Sequence, residues 1–215
     1  MSLAVFELSC TRGERLLFDR LEFQVAWGVA LQVRGANGSG KTSLLRILAG
    51  LALADSGEIH VDGQRQDLAD EAYRGRLAYL GHANGLKASL SPVENLRFAA
   101  SLNAVSTDRD RLESALARVG LYGFEDTPVQ ALSAGQNRRT ALARLVVAEA
   151  AIWLLDEPFT ALDPDGQRLV STLLAEHLAA GGLAVLSTHQ RVPDGAFPLA
   201  SLQLDGIPSV EPMAG

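Results

Sequence analysis

Eight consecutive residues carry the clearest chemical signal in this chain: residues 35–42 read G-A-N-G-S-G-K-T. The three glycines allow unusual φ angles and keep side chains away, so that successive backbone N–H groups can surround an anion. Lys41 can reach the β- and γ-phosphates of a nucleoside triphosphate, and the Thr42 hydroxyl can face the Mg²⁺ that bridges them. The spacing therefore predicts a phosphate-binding loop.

The alternative is a glycine turn followed by a chance Lys-Thr pair. One chance match in a chain of this length has a probability on the order of one in a hundred, and Lys41 is one of only two lysines. The flanking patterns also fit, because residues 30–33 read as a buried strand and apolar residues recur at helical spacing from Leu44 until Gly50. The predicted nucleotide-binding residues of this loop are Gly35, Ala36, Asn37, Gly38, Ser39, Gly40, Lys41, Thr42 and Ser43.

A pair of carboxylates follows another apolar run. Residues 151–155 are typical of a parallel strand that is covered on both faces, and Asp156 and Glu157 come directly after it. Open α/β sheets bind their ligands at this end of their strands. We expect Asp156 to hold Mg²⁺, directly or through water, and Glu157 to accept a proton from the water that attacks the γ-phosphate. A surface acidic pair is the weaker interpretation beside a phosphate-binding loop.

Residues 132–136, L-S-A-G-Q, precede a predicted helix that runs to about residue 149. Ser133 can cap this helix. Ser133, Gly135 and the helix start can equally present a hydroxyl and free amides to the γ-phosphate of a second nucleotide. The spacing alone leaves both interpretations open.

The remaining patterns predict an α/β fold with a mainly parallel core sheet and an antiparallel β edge. A helix should begin at Ser91, because Pro92 and Glu94 follow it as in a capping box, and a second amphipathic helix should end at Gly120. We therefore expect one domain, with residues 1–89 and 131–215 as the nucleotide-binding core and residues 90–130, approximately, as an inserted helical subdomain. The other predicted strands are residues 3–8, 21–25, 58–61, 77–80, 183–187 and 199–204.

Composition narrows the class of protein. The 215 residues carry a net charge of -6, which disfavours a nucleic-acid partner that needs a basic face. Cys10 is the only cysteine, which fits a reducing compartment. No run approaches 18 apolar residues and the start lacks a signal-peptide pattern, so neither a spanning segment nor secretion is predicted.

The motifs, in their order along residues 3–204, resemble those of the nucleotide-binding subunit of ABC transporters. By this resemblance L-S-A-G-Q is the signature motif, Asp163 ends the D-loop, and His189 is the switch histidine that contacts the γ-phosphate. The resemblance implies a P-loop NTPase fold of the ABC type and catalysis by Lys41, Glu157 and His189. It also implies a head-to-tail homodimer, with ATP and Mg²⁺ held between the phosphate-binding loop of one subunit and Ser133, Gly135 and Gln136 of the other.

Within that family, residues 80–96 and 153–163 look most like the ATP-binding subunit of the haem exporter of cytochrome c biogenesis. This implies a peripheral subunit on the cytoplasmic face of the bacterial inner membrane that drives integral membrane transporter subunits. His82 stands where most relatives carry the glutamine that senses Mg²⁺ and the membrane partner, and the resemblance therefore implies that His82 contacts the nucleotide and Mg²⁺. Arg12 stands where an aromatic residue usually stacks on adenine, a contact that a guanidinium plane can also make. Ala134 replaces the commoner glycine of the signature.

Other functions fit the chain less well. The ATPase of another small-molecule exporter would share every motif except the narrower resemblance. A soluble ABC ATPase that acts on nucleic acid or ribosomes usually carries two nucleotide domains or a long coiled-coil insertion, for which this chain has no room. A P-loop kinase or GTPase would leave residues 132–136 unexplained, and the guanine-reading N-K-x-D motif is missing.

Overall fold

The computed structural model describes residues 1–102, 105–189, 192 and 195–204. Within these ranges the strands are β1 (Ser2–Arg12), β2 (Arg15–Ala26), β3 (Ala30–Arg34), β4 (Ser56–Val61), β5 (Gln64–Arg65), β6 (Leu77–Leu80), β7 (Ile152–Asp156), β8 (Leu183–Ser187) and β9 (Leu199–Gln203). The helices are α1 (Lys41–Leu48), α2 (Glu71–Arg74), α3 (Pro92–Leu102), α4 (Arg109–Arg118), α5 (Ala134–Ala148) and α6 (Pro164–Ala179), with a 3₁₀ turn at Val129–Ala131.

A five-stranded parallel sheet forms the middle layer, in the order β6-β7-β8-β3-β9. Every residue of β7 and β8 is buried, which explains their continuous apolar sequences. Strands β7, β8 and β3 are neighbours, so the segments that follow them meet at one edge of the sheet. This confirms the predicted parallel core.

The strands predicted as an antiparallel edge form a four-stranded sheet of their own, in the order β2-β1-β4-β5. In this sheet β1 pairs with β2 on one side and with β4 on the other, and no pairing with the parallel sheet is seen in the described ranges. The turn between β4 and β5 lies at Asp62 and Gly63, whose φ angles of 55° and 79° are both positive, as a type I′ hairpin turn requires.

Helix α3 begins where the sequence predicts. Ser91 Oγ accepts from Glu94 N at 3.4 Å, and Glu94 Oε2 accepts from Ser91 N at 2.8 Å, which completes the capping box of α3. Helices α3 and α4 follow β6 and precede β7 in the chain and pack on α5. Their treatment as a separate subdomain remains a prediction.

Two apolar clusters cover the two faces of the parallel sheet. Successive residues of β7 alternate between them, as the strand period of two requires. Ile152 and Leu154 join the antiparallel sheet and α1, whereas Trp153 and Leu155 join α3 to α6. The sheet is thus packed on both sides, which holds its strand ends in fixed positions. In the described part of the chain no helix combines the length and apolarity needed to span a bilayer.

Candidate functional site

A cleft of about 580 Å³ lies at the carboxyl edge of the parallel sheet. Most of its residues lie at the carboxyl end of β3, β6, β7 or β8 or in the segment that follows it. The others are Arg12, the last residue of β1, and Leu17 in β2. The predicted site residues that line it are Arg12, Asn37, Gly38, Gly40, Lys41, Thr42, Ser43, His82, Asp156, Glu157 and His189. Leu17 and Thr160 also line the cleft and were not predicted.

The phosphate-binding loop has no room for side chains at two of its glycines. At Gly35, with a φ angle of 149°, a Cβ atom would lie 2.5 Å from Ser39 Oγ. At Gly40, with a φ angle of 103°, it would lie 3.1 Å from the side chains of Leu17 and Phe18. Lys41 Nζ donates to the carbonyl oxygens of Gly35 at 2.8 Å and Ala36 at 2.9 Å, which places the ammonium group at the loop.

The carboxylate of Asp156 is hydrogen-bonded both to the segment after β3 and to the end of β8. Its side chain is almost fully buried, so the carboxylate needs hydrogen-bond donors. Thr42 Oγ1 donates to Oδ2 at 2.8 Å, and Ser187 Oγ donates to Oδ1 at 2.6 Å. Ser187 was not predicted as a site residue; the available signal was a polar residue that ends a run of four apolar ones. It lies beside Asp156 because β7 and β8 pair in that register.

Glu157 has an unusual backbone and an available carboxylate. Its φ angle of 51° is left-handed, and its N–H donates to Ser187 O at 3.1 Å and Ser187 Oγ at 3.2 Å. Oε1 is buried and has no hydrogen-bond donor in the described ranges, and His189 Nε2 lies 3.6 Å from it. His189 N donates weakly to Oε2 at 3.4 Å. A buried carboxylate oxygen with no donor can accept a proton from a bound water.

The oxygen atoms at this edge suit Mg²⁺. Mg²⁺ in nucleotide sites is held by hydroxyl and carboxylate oxygens together with substrate phosphates, and Thr42 and Asp156 supply that pair of oxygen types. His82 is exposed and lines the same cleft. Imidazole is a poor ligand for Mg²⁺ compared with oxygen, so contact through water or phosphate fits its chemistry better. Its predicted metal role remains a prediction.

The signature residues lie at the start of α5 and are not among the residues that line the cleft. Ser133 and Gln136 complete a capping box: Gln136 N donates to Ser133 Oγ at 3.2 Å, and Ser133 N donates to Gln136 Oε1 at 2.9 Å. Ser133 is exposed and Gly135 is partly exposed. Capping is therefore observed, and the helix start also faces outward, where a second subunit can approach.

Asp163 and Arg12 have well-defined partners. Asp163 caps α6 by accepting from Gly166 N at 2.8 Å, and this bond, with help from Arg139, lowers the pKa of its carboxyl.

The guanidinium of Arg12 donates to Thr11 O and Leu53 O, both at 2.9 Å, which fixes its plane at the rim of the cleft. Leu17 adds apolar surface to the same cleft.

The bond between Ser187 and Asp156 leads to a test of stability. Ser187→Ala removes a donor from a buried carboxylate, so the free energy of unfolding should fall by about 1 to 3 kcal/mol. Ser187→Thr keeps the hydroxyl and is the control. Urea denaturation followed by circular dichroism measures both; equal stability of Ser187→Ala and the unmodified protein would contradict the assignment.

Comparisons with known proteins show the family of this chain. A protein-family model described as "ABC transporter" matches residues 18–160, more than half of the chain. The protein named "Cytochrome c biogenesis ATP-binding export protein CcmA" of Methylococcus capsulatus is 52% identical over 182 residues, which cover 85% of this chain and 88% of that protein. The protein of the same name from Albidiferax ferrireducens is 46% identical over 203 residues, covering 94% and 97%.

Solved structures share the fold. A putative ABC transporter ATP-binding protein from Pyrococcus furiosus superposes with a TM-score of 0.81 at 24% identity, covering 95% of this chain and 98% of that chain. A dimeric ATP-binding cassette in a post-hydrolysis state, bound to ADP and Pi, superposes with a TM-score of 0.76 at 24% identity, covering 87% and 88%. The predicted fold class is confirmed.

Proposed function

The chain belongs to the ABC transporter family, as an ATP-binding ATPase subunit, and we propose that it powers the haem exporter of cytochrome c maturation. The observation that carries this proposal is the 52% identity to a cytochrome c biogenesis export protein over 88% of that protein's length. The segments 80–96 and 153–163, which resemble that subfamily, line or flank the nucleotide cleft.

The geometry of the cleft supports ATP binding by the loop after β3. The loop, the start of α1 and the ammonium of Lys41 lie together at the cleft, and the N–H groups of such a loop and helix start can bind a triphosphate. Thr42 and Asp156 would hold Mg²⁺, which when bound neutralises charge on the β- and γ-phosphates. Arg12, at the rim, presents a guanidinium plane on which adenine can stack.

Hydrolysis needs a base beside the γ-phosphate. Glu157 Oε1 takes the proton from the attacking water, so that the oxygen of that water becomes the nucleophile. His189 contacts the γ-phosphate and lies 3.6 Å from the same oxygen, where it can help to orient the water. Lys41 stabilises the charge that develops on the transferred phosphoryl group.

Glu157→Gln tests the base. This change keeps the shape of the side chain and removes its basicity, so hydrolysis should fall by on the order of a hundredfold or more while ATP still binds. Phosphate release and equilibrium nucleotide binding measure the two effects, with Glu113→Gln, a change at a partly exposed position on α4, as the control. Turnover of the Glu157→Gln protein within a few-fold of normal would remove Glu157 from this role.

A second proposal concerns assembly. The start of α5 is exposed and is not among the residues that line the cleft, which supports a head-to-tail homodimer in which each signature motif faces the partner's nucleotide. Ser133, Gly135 and Gln136 then supply a hydroxyl and amides to the γ-phosphate. Asp163, which is exposed at the start of α6, would lie at the same interface.

Mixing two inactive proteins tests the composite site. Ser133→Arg should leave ATP binding by the monomer nearly intact and abolish hydrolysis, because a bulky cation would clash with the opposing nucleotide. Mixed with Lys41→Ala, it should regain part of the activity, since the heterodimer contains one site with both halves intact. Hydrolysis that stays absent at every mixing ratio would count against a shared site.

The loop of residues 81–91 is the proposed contact with the membrane subunits. His82 lines the nucleotide cleft, whereas residues 87–89 are exposed. The amide side chain of Asn95, in the first turn of α3, bonds Lys87 N at 2.8 Å and the carbonyl oxygens of Lys87, Leu90 and Ser91 at 3.0 to 3.3 Å. The loop thus connects the cleft to α3, and it would carry motion from bound ATP to a partner at the cytoplasmic face of the inner membrane.

A deletion strain tests the biological role. Without this protein, c-type cytochromes should fail to acquire haem while other haem proteins stay normal, as haem staining of gels and absorption spectra would measure. The unmodified protein should restore them, Lys41→Ala should not, and His82→Ala should restore them in part. Normal c-type cytochromes in the deletion strain would exclude haem export and leave the ABC ATPase assignment intact.

A further inference from the structure

One buried arginine connects the cleft to the loop of residues 81–91. Arg138, in α5, is 3% exposed, and none of the predicted site motifs includes it. Its Nη1 donates to Gly81 O and to Asn84 Oδ1, both at 3.0 Å. Its Nη2 donates to Asp156 O at 3.2 Å and to Glu157 O at 2.6 Å. One end of the guanidinium therefore holds the loop, and the other holds the backbone that carries the two carboxylates.

The backbone held by Arg138 is strained. Glu157 has a φ angle of 51°, and a left-handed conformation of a residue with a side chain persists only where its surroundings hold it. Ser187 accepts from the N–H of Glu157, and Arg138 donates to the carbonyl oxygen of Glu157. Contacts on both sides of this residue thus fix the direction in which its side chain leaves the backbone.

Burial makes this contact specific for arginine. A planar guanidinium presents several donors in fixed directions, whereas an ammonium is a compact point charge on a flexible stem. Burial lowers the pKa of Arg138, and the nearby carboxylates of Asp156 and Glu157 oppose that shift. A guanidinium remains charged under such a shift. The Nε of Arg138 is buried and has no acceptor in the described ranges.

We propose that Arg138 is a positioning residue, which holds Glu157 in its left-handed conformation and ties that conformation to the loop of residues 81–91. The inference rests on the proposed role of Glu157 as the base. Movement of Gly81 or Asn84 changes the acceptors on one side of the guanidinium, and the shared planar group transmits the change to the carbonyl of Glu157. Asn84 thereby influences hydrolysis through Arg138, although it is not among the residues that line the cleft.

The structure supplies a matched control in the same helix. Arg144, two turns along α5, donates to Asn84 O at 3.1 Å and Gly85 O at 3.0 Å. Burial lowers its pKa as well. It contacts the same loop, and no bond from it to Asp156 or Glu157 is seen in the described ranges. A comparison of the two arginines therefore separates support of the loop from control of the base.

The first experiment measures kcat, KM and equilibrium ATP affinity for the full-length protein. Arg138→Lys should lower kcat about tenfold or more, because a catalytic group displaced by about 1 Å can cost as much as a hundredfold. KM and ATP affinity should stay within about threefold, because Arg138 is not among the residues that line the cleft. Arg144→Lys should change kcat less than about twofold. Equal kcat for Arg138→Lys and the unmodified protein would overturn the proposal.

The second experiment is a double-mutant cycle. Asn84→Ala removes an acceptor of Arg138 and should lower kcat about threefold, whereas the same change in the Arg138→Lys protein should have no further effect. Independent effects that multiply would overturn the link to the loop. Asn84→Asp keeps the acceptor oxygen and should retain kcat. A thermal unfolding assay shows whether the Arg138→Lys protein folds. If it does not fold, Asn84→Asp replaces it in the test, and a low kcat for Asn84→Asp then overturns the link.

The two proposals can fail separately. If Glu157→Gln hydrolyses ATP normally, the assignment of the base is wrong and Arg138 has no base to position. If Glu157→Gln is inactive while Arg138→Lys turns over normally with unchanged KM, the base stands and only the positioning role is excluded.

Discussion

The site depends on the burial of one carboxylate between two hydroxyl groups. Asp156 is 2% exposed, and a charged group so far from water is tolerated only with hydrogen-bond donors in place. Thr42 and Ser187 donate to its two oxygen atoms, and they come from the loop after β3 and from β8. The three segments that meet at the cleft are thus held together by polar contacts at the sheet edge, in addition to their apolar packing.

The layers behind this edge explain why it is stiff. The parallel sheet is covered by the antiparallel sheet and α1 on one face and by α3 to α6 on the other, so alternate residues of β7 are packed on both sides. Such packing leaves little freedom to the strand ends. The strain at Glu157 can persist because Ser187 and Arg138 hold its two peptide groups against this rigid background.

Helix α5 serves the site from two directions. Its first turn faces outward, where Ser133 and Gln136 cap each other, and the next turn sends Arg138 inward to the carbonyl oxygens of Asp156 and Glu157. A displacement of this helix would therefore change the exposed helix start and the backbone of Asp156 and Glu157 together. In the proposed dimer, such a shared element would give the partner subunit a mechanical route to Glu157.

Patterns of contiguous residues were enough to predict the phosphate-binding loop, the caps at Ser91 and Ser133, and the strands at β6 and β8, because each is a local property of the backbone. The sequence could not show that β1, β2, β4 and β5 form a separate sheet, since strand neighbours are chosen by packing. The sequence placed Thr42 and Asp156 at one Mg²⁺ but could not show that they bond directly across 114 residues, nor that Ser187, 31 residues away, is the second donor. The contacts of Arg138 were equally hidden, because they arise only when the strand order and the position of α5 bring distant residues together.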